Sequence, residues 1–407
     1  MNHANVHVFT SITANYLPKA RVLAESVKRL APTCHFHLML SDDLPAGFNL
    51  AEEPFDHLIR LQDLAVENAA QWAFGHTVVE LCTAVKGFAF QHLLSQPGAE
   101  KAFYFDPDMV VFDRFDELVK RLDRHSILLT PHQCEPEETL EAIADNEIAS
   151  LKHGVFNLGF LGIRNSSEGR RFVDWWASRL HHFCRDAIGE GLFTDQRWVD
   201  LAPCFFEDVE VMRDAGFNVA TWNLSHRRVS GTIKDGVRIN DEALGFYHFS
   251  GFDSGAQEVM LGKYGYGNPA LHALRDWYID ACERAGQSVL GKRPARHACY
   301  ADGTPITKPE RTLYRQREDL RNAFPDPYAT EPANACYRDW YRVHGPTNGQ
   351  DGVLLARHDA RYASVVEDFL RFTEQRLDQT HRLGGWRKRF ARQIVRLFGR
   401  TVARLAR

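Results

Sequence analysis

The chain has 407 residues, of which 44% are hydrophobic and 25% are charged, so it can bury a large core as one α/β domain with additions or as two domains. Its formal net charge of -4 gives no preference for nucleic acid over the whole chain, although a basic surface can still be local. The eight cysteines form no C-x-x-C pair and no zinc-ligand spacing, which predicts reduced thiols in a cytoplasm.

The first 45 residues predict the start of a parallel βαβ arrangement. Residues 6–11 form a short β-branched run, and apolar residues then recur at helical spacing over residues 17–30. A second alternating run covers residues 35–43 and stops at the turn signal SDDLPAG. Strand, helix and strand in this order are typical of an α/β domain.

Strand and helix patterns continue to alternate up to about residue 250. After these first elements, the sequence predicts a helix, two strands, an acidic helix and an apolar strand, at residues 77–95, 101–112, 125–132, 135–151 and 154–163. No segment has the ~18 consecutive apolar residues of a membrane span, and the N-terminus lacks the layout of a signal peptide. We therefore expect a protein that is neither integral to a membrane nor secreted by that route.

The character of the sequence changes after Gly255. We predict a catalytic region at 1–255, an accessory extension at 256–350 that is rich in Pro, Gly and aromatic residues, and C-terminal helices at 351–407. The tail 386–407 holds eight Lys or Arg and no acidic residue, with an apolar stripe at helical spacing. Such a helix can lie on an anionic membrane surface, dock on its own domain, or be frayed in solvent.

Two aspartates follow a predicted strand in the segment FYFDPDMVVF. Ligands of open α/β sheets bind beyond the carboxyl ends of the strands, so Asp106 and Asp108 are well placed for a site. Paired carboxylates suit Mg²⁺ or Mn²⁺, whose remaining positions go to water and phosphate oxygens. The alternative is a solvated turn, since about one Asp-x-Asp is expected by chance in a chain of this length.

Several motifs that occur in a fixed order favour a functional role for this aspartate pair. Over about residues 5–255 the chain resembles the type A glycosyltransferase fold, and in particular the retaining glycosyltransferase family 8 and its bacterial surface-polysaccharide relatives. The resemblance implies a Rossmann-like, mixed but mainly parallel sheet flanked by helices, followed by a mainly helical C-terminal extension. The segments that carry it are ELCTAVKGFAFQHLL, FYFDPDMVVF, LLTPH, GVFNLGFLGI, FTDQRWVD, WNLSHRR and FYHFSGF.

The resemblance implies a metal centre with Mn²⁺, or Mg²⁺, as cofactor. Its ligands would be Asp106, Asp108 and His248, the last in an H-x-x-G segment that ends at Gly251. A histidine here would otherwise be a packed core residue, but oxygen and imidazole ligands together suit Mn²⁺. The sequence departs from the family after Gly251, because GFDSGAQ replaces a Lys-Pro-Trp, and Lys263 is a candidate substitute for that lysine.

The resemblance also implies residues that surround the donor. It places the nucleotide and donor contacts at Thr10, Asp42, Lys86, Asp106, His132, Asn223 and Gly251, and the catalytic or sugar-contacting residues at Asn157, Asp195 and Gln196. The alternatives are a strand-end cap for Thr10, an N-cap for Asp42, a solvated helix lysine for Lys86, and structural roles for the polar strand-end residues and for Trp222. An amide in the apolar run around Asn157 needs a partner, which can be a sugar hydroxyl or the backbone.

The function implied is transfer of a sugar from a nucleotide diphosphate sugar, with retention, to a glycan or lipid-linked glycan in surface polysaccharide (lipopolysaccharide or capsule) synthesis. The metal would neutralise the leaving diphosphate. Retention can proceed by same-face attack or through a covalent intermediate; only a carboxylate such as Asp195 could be the nucleophile. Two other classes remain open at this point: a metal-dependent phosphohydrolase, and a non-catalytic nucleotide- or glycan-binding module.

The expected partners are the donor, the acceptor and, through the tail 386–407, a membrane surface, with no nucleic acid. This predicts a cytoplasmic protein with a peripheral position on the inner face of a membrane. In the extension, Tyr300, Arg311 and Arg315 are candidates for the acceptor side, although surface ion pairs would explain the arginines equally well.

Overall fold

The computed structural model describes residues 2–252, 255–333 and 335–345. The predicted helices of 351–407, including the basic tail, lie outside these residues. The described chain falls into two compact units, of which the first ends at Arg311 and the second begins at Thr312. No helix in the described part of the chain is long and apolar enough to cross a membrane.

The strands of the described residues follow one another along the first unit. They are β1 (Val6–Ile12), β2 (His35–Leu40), β3 (His57–Arg60), β4 (Lys101–Phe105), β5 (Met109–Val111), β6 (Ile127–Leu129), β7 (Phe160–Arg164), β8 (Arg185–Ala187), β9 (Leu192–Thr194), β10 (Val209–Val211), β11 (Val229–Thr232), β12 (Gly236–Ile239), β13 (Glu242–Ala243) and β14 (Phe246–His248).

The helices range from single turns to about five turns. They are α1 (Leu17–Leu30), α2 (Ala69–Phe74), α3 (Val78–Leu94), α4 (Phe115–Arg124), α5 (Leu140–Ala142), α6 (Ile148–His153), α7 (Ser167–Phe183), α8 (Gln196–Val199), α9 (Ala202–Phe205), α10 (Ala256–Tyr264), α11 (Pro269–Arg284), α12 (Gln287–Leu290), α13 (Lys308–Gln316), α14 (Glu318–Ala323) and α15 (Tyr337–His344). A π-helical segment, Ile143–Glu147, joins α5 to α6.

A seven-stranded sheet in the order β10-β6-β7-β4-β1-β2-β3 forms the centre of the first unit. Its neighbouring strands are parallel except at β7, which runs antiparallel to both β4 and β6. Alternate side chains of each strand enter opposite cores, one with α3 and α7 and the other with α1 and α4. The predicted mixed, mainly parallel sheet flanked by helices is confirmed, as is the helical character of the described extension.

The helix that leads to the candidate site is fixed at its start by its own sequence. Thr77 and Glu80 form a reciprocal capping box, in which Thr77 Oγ1 accepts from the Glu80 amide and the Glu80 carboxylate accepts from the Thr77 amide. Further along α3, a Cβ on Gly87 would lie 2.7 Å from the Ala177 Cα of α7. This glycine therefore allows α3 and α7 to pack closely beside Lys86.

Three predicted elements differ from the structure. The single strand predicted at 101–112 is divided into β4 and β5 by a turn that contains Asp106 and Asp108. The acidic helix begins at Leu140, and residues 135–139 precede it. The apolar run 154–163 becomes a strand only at Phe160, because Gly154 has a φ of +133° and a turn from Asn157 to Phe160 follows. The predicted strand therefore begins with a loop, and this loop carries Asn157 towards the carboxyl end of β4.

In the second unit, α15 packs through aromatic rings. The Tyr337 ring lies 5.0 Å from that of Tyr314 and 5.9 Å from that of Phe324. Trp340 adds a stacked contact to Tyr337, with ring centroids 6.1 Å apart. These rings give the unit a small core of its own.

Candidate functional site

A short pair of antiparallel strands brings the distant histidine to the two aspartates. In the β5 and β14 pair, His248 lies opposite Met109, the residue that follows Asp108. The Phe249 amide donates to the Asp108 carbonyl at 2.8 Å, and the Met109 amide closes a turn on the Asp106 carbonyl at 3.0 Å. Backbone hydrogen bonds therefore fix the position of His248 beside this turn.

The three predicted metal ligands lie together. His248 Nε2 is 3.1 Å from Asp108 Oδ1 and 3.8 Å from Asp106 Oδ2. One ligand atom from each side chain lies within 4.8 Å of the others, and in the described residues no other group of three His, Cys, Asp or Glu is as close. The histidine is buried and both aspartates are partly exposed, so a small cation has access from solvent.

Mutual attraction favours the charged forms of Asp108 and His248. Burial alone would raise the pKa of Asp108, but the charge and hydrogen bond of His248, with a further contribution from Lys19, lower it. Burial likewise would lower the pKa of His248, and the attraction of Asp108 raises it. The group is therefore a concentrated set of charges rather than a solvated turn.

An amide lies behind the histidine and orients it. Asn157 Oδ1 is 3.3 Å from His248 Nδ1, and Asn157 Nδ2 is 3.3 Å from His132 Nε2. The amide oxygen can only accept, so His248 Nδ1 carries a proton and Nε2 is the nitrogen that faces the carboxylates. The Trp222 ring packs edge-on against both imidazoles, with centroid distances of 5.3 Å.

A buried lysine joins the aspartate pair to a third carboxylate. Lys86 Nζ lies 2.9 Å from Asp195 Oδ2, 3.4 Å from Asp106 Oδ1 and 3.0 Å from the Leu158 carbonyl oxygen. Although burial alone would lower the pKa of Lys86, the two carboxylates raise it, so the lysine is charged at neutral pH. Thr194, at a φ of +45°, donates to Asp195 Oδ1 at 3.1 Å and completes the support of that carboxylate.

Three candidate side chains are bound to the backbone. Gln196 accepts from the Leu158 amide and donates to the His153 carbonyl. Asn223 accepts from the Ala220 amide and donates to the His132 and Asn218 carbonyls. Asp42 accepts from the amides of Ala14, Asp43 and Arg296. These contacts give all three residues a role in holding the loops of the site.

Thr10 and Gly251 occupy different surroundings. Thr10 lies in β1 with no exposed surface, and its hydroxyl oxygen has no hydrogen-bond partner among the described residues. Gly251 has a φ of +75°, and its carbonyl accepts from the Gln257 amide where α10 begins. The glycine is thus needed for a turn just after His248.

Three residues of the site were not predicted from the sequence. Tyr104 donates to Asp106 Oδ1 at 2.5 Å. Gly159 has no room for a side chain, because a Cβ there would lie 2.8 Å from both Asn157 Oδ1 and His248 Cε1. Lys19 is 2% exposed, and its ammonium lies 4.2 Å from the Tyr16 ring centroid. One signal was available, since a lysine followed by apolar residues at i+3 and i+4 of α1 lies on the buried face of that helix.

Two further candidates are engaged elsewhere. Lys263 pairs with Asp145 at 2.7 Å and with Glu141 at 3.0 Å. Arg311 is 3% exposed and donates to the backbone carbonyls of Phe74, His76 and His297. These contacts give Arg311 a structural role within the first unit.

Comparison with known proteins gives distant similarities. No family model matches the sequence. The chain is similar to two uncharacterised proteins of Bacillus subtilis (strain 168): YfnD, at 27% identity over 252 residues (60% of this chain and 78% of YfnD), and YfnF, at 28% identity over 183 residues (42% of this chain and 57% of YfnF).

Among solved structures, the chain is similar to the galactosyltransferase LgtC in complex with donor and acceptor sugar analogues, at 14% identity and a TM-score of 0.40, over 69% of this chain and 95% of that one. It is also similar to mouse xyloside xylosyltransferase 1, at 16% identity and a TM-score of 0.33, over 61% and 97% of the two chains. A third is the glycosyltransferase GlyE of Streptococcus pneumoniae TIGR4, at 14% identity and a TM-score of 0.36, over 74% and 67%. TM-scores this low do not assign a function to this chain.

Proposed function

We propose that this chain is a divalent-metal-dependent, retaining glycosyltransferase that moves a sugar from a nucleotide diphosphate sugar to a glycan or lipid-linked glycan. The observation that carries the proposal is the 3.1 Å approach of His248 Nε2 to Asp108 Oδ1, beside Asp106 and beyond the carboxyl end of β4. Ligands of open α/β sheets bind at this edge. We infer the class of reaction from the order of motifs in the sequence and the family resemblance that they carry.

The donor set suits a hard or borderline cation. Two carboxylate oxygens and one imidazole nitrogen favour Mn²⁺ or Mg²⁺, and Asp106, Asp108 and His248 would hold the ion. When bound, such an ion supplies a Lewis acid that offsets the negative charge of a departing nucleoside diphosphate. Asn157 orients His248 for this purpose, as residues behind a metal ligand commonly do.

Two buried lysines of the protein act on the aspartates. Lys86 contacts both Asp106 and Asp195, and we assign it the role of fixing Asp195 near the transferred sugar. Lys19 is buried, and its charge contributes to the lowered pKa of Asp108. It can therefore offset diphosphate charge in place of the family lysine that this sequence lacks. In this proposal Asp195 positions the sugar, while Gln196 and Asn223 shape the pocket through the backbone.

The acceptor side of the proposal rests on the sequence resemblance. We place the chain in the synthesis of a bacterial surface polysaccharide, at the cytoplasmic face of a membrane, with residues 1–255 as the catalytic region and 256–350 as the acceptor-side extension. The basic tail 386–407 would hold the enzyme near a lipid-linked glycan by its charge.

The test combines ligand binding with turnover. Nucleoside diphosphates and nucleotide sugars are screened by thermal shift with and without Mn²⁺, since a ligand that binds only the folded state raises the melting temperature. We expect one nucleotide to raise Tm only when Mn²⁺ is present, and its sugar conjugate to yield free diphosphate with an acceptor. A nucleotide shift of equal size in Asp108→Asn, with no turnover of any donor, would instead identify a non-catalytic binding module.

A further inference from the structure

Four histidines form a second cluster at the opposite ends of the central strands. His7, His35, His37 and His57 lie near the amino ends of β1, β2 and β3 and project from one face of the sheet. His7 pairs with His35 across the strands, and His37 pairs with His57. The ring centroids of the neighbouring pairs lie between 4.6 and 5.5 Å apart.

The cluster contains one hydrogen-bonded pair and one pair with a different geometry. His7 Nδ1 and His37 Nε2 are 2.9 Å apart and buried, which is the distance of an N–H···N hydrogen bond with one shared proton. His35 Nδ1 and His57 Nε2 are 3.4 Å apart, which is long for such a bond. Two nitrogens bound to one tetrahedral ion at ~2.1 Å lie about 3.4 Å from each other.

The surroundings of the second pair allow an ion to enter. His57 is exposed and His35 is half-buried, while the buried His37 packs behind them. Burial, with the adjacent His35, lowers the pKa of His57, so that its ring is neutral and can offer a lone pair at pH 7. Asp56, which precedes His57 in the sequence, is engaged by Lys28 at 2.8 Å and by the Phe36 amide at 2.7 Å.

We propose that His35 Nδ1 and His57 Nε2 chelate one borderline transition-metal ion, such as Ni²⁺, Zn²⁺ or Cu²⁺, with water in the other positions. Imidazole suits these ions, whereas Mg²⁺ prefers oxygen ligands. The site therefore differs in selectivity from the Asp106, Asp108 and His248 group. A bound ion would join β2 to β3, the four-residue strand at the edge of the sheet.

The experiment measures Ni²⁺ binding by isothermal titration calorimetry to the untagged full-length chain. An Asp108→Asn background weakens the carboxylate site, so that binding elsewhere is seen separately. We expect this background protein to bind an ion that is lost on adding His35→Gln and His57→Gln, but retained on adding His272→Gln, which removes an exposed imidazole of α11. Equal Ni²⁺ binding with and without the His35 and His57 substitutions would overturn the proposal.

A second measurement distinguishes loss of the metal site from a folding defect in the variants. Ni²⁺ should raise the Tm of the background protein and of the His272→Gln variant, but not of the single variant His57→Gln, whose substituted side chain is exposed. Because the Asp108→Asn background is used throughout, the outcome is independent of whether the proposed transferase activity is confirmed. An equal Ni²⁺-dependent rise in Tm for His57→Gln would place the ion elsewhere.

Discussion

His248 Nε2 lies 3.1 Å from Asp108 Oδ1 because the strand that ends at His248 pairs with the strand that begins one residue after Asp108. Two segments far apart in the sequence therefore meet through backbone hydrogen bonds, and the position of the imidazole does not depend on a flexible loop. A metal held here would be fixed relative to the central sheet, since the Asp106 amide also donates to the Gly159 carbonyl at 2.7 Å.

The first prediction concerns the carboxylate that faces the histidine. Asp108→Asn replaces one anionic ligand with a neutral amide of the same shape, so we expect transfer to fall by roughly three orders of magnitude, or ~4 kcal/mol, with the fold intact. The measurement is kcat/KM with saturating Mn²⁺, together with the urea unfolding midpoint. Asp113→Asn, an exposed carboxylate just beyond β5, is the control and should keep its activity. Near-normal metal-dependent transfer by Asp108→Asn would refute the metal assignment.

The second prediction isolates the amide behind the histidine. Asn157→Ala removes the acceptor for His248 Nδ1, and we expect Mn²⁺ affinity to fall about 10- to 100-fold because the imidazole loses its fixed orientation. Mn²⁺ binding is measured by electron paramagnetic resonance, without any turnover. Asn146→Ala is a matched control, since that amide is also buried but donates to Glu137. If both variants bind Mn²⁺ like the parent chain, Asn157 has no part in holding the ligand.

The third prediction tests the space beside the same two residues. Gly159→Ala would place a methyl group 2.5 Å from Met109 Cε and 2.8 Å from His248 Cε1, so something must move. We expect a loss of about 1–3 kcal/mol in the free energy of unfolding, together with weaker Mn²⁺ binding. Gly189→Ala, where a Cβ would meet open space, should change neither quantity. A Gly159→Ala protein with parental stability and Mn²⁺ affinity would show that this packing is not required.

The sequence predicted the sheet and the metal group for separate reasons. Alternating strand and helix patterns repeat locally, and so they indicate an α/β sheet without knowledge of long-range contacts. The group of Asp106, Asp108 and His248 came from the order of motifs. The position of Gly159 depends on what packs against it in space, and local spacing carries little of that information. Helical spacing places Lys19 on a buried face but does not show that it lies near Asp108. For the same reason, the hydrogen bonds of Gln196 with the Leu158 amide and the His153 carbonyl could not be predicted from its place in the sequence.

The fourth prediction concerns the buried ion pair. Lys86→Met leaves Asp195 buried without the ammonium that lies 2.9 Å away, so we expect unfolding to become easier by ~3–5 kcal/mol. Adding Asp195→Leu removes the orphaned charge and should restore part of the loss. Lys28→Met breaks a partly exposed pair with Asp56 and should cost less than about 1 kcal/mol. Urea unfolding of the four proteins gives the comparison, and equal small losses for Lys86→Met and Lys28→Met would contradict the prediction.

The fifth prediction follows from two imidazoles outside the metal group. Burial lowers the pKa of His132 and that of His297, each to about 4, from an ordinary value of 6.5. The folded state therefore prefers both rings neutral, while the unfolded chain takes up protons below pH 6.5. Their stabilising effect is complete above pH 6.5 and is lost as the pH falls from 6.5 towards 4. We expect the free energy of unfolding to drop by about 1–2 kcal/mol for each ring between pH 7 and pH 5.

The measurement is urea unfolding at half-unit pH steps with EDTA present, so that no metal binds a histidine. A double variant, His132→Gln with His297→Gln, should lose stability at pH 7 but show a shallower fall towards pH 5, because two proton-accepting groups of the unfolded state are gone. The exposed His272→Gln should keep the parental slope. If the double variant and the parent chain lose stability in parallel between pH 7 and pH 5, the acid sensitivity comes from other groups and burial of these two rings does not control it.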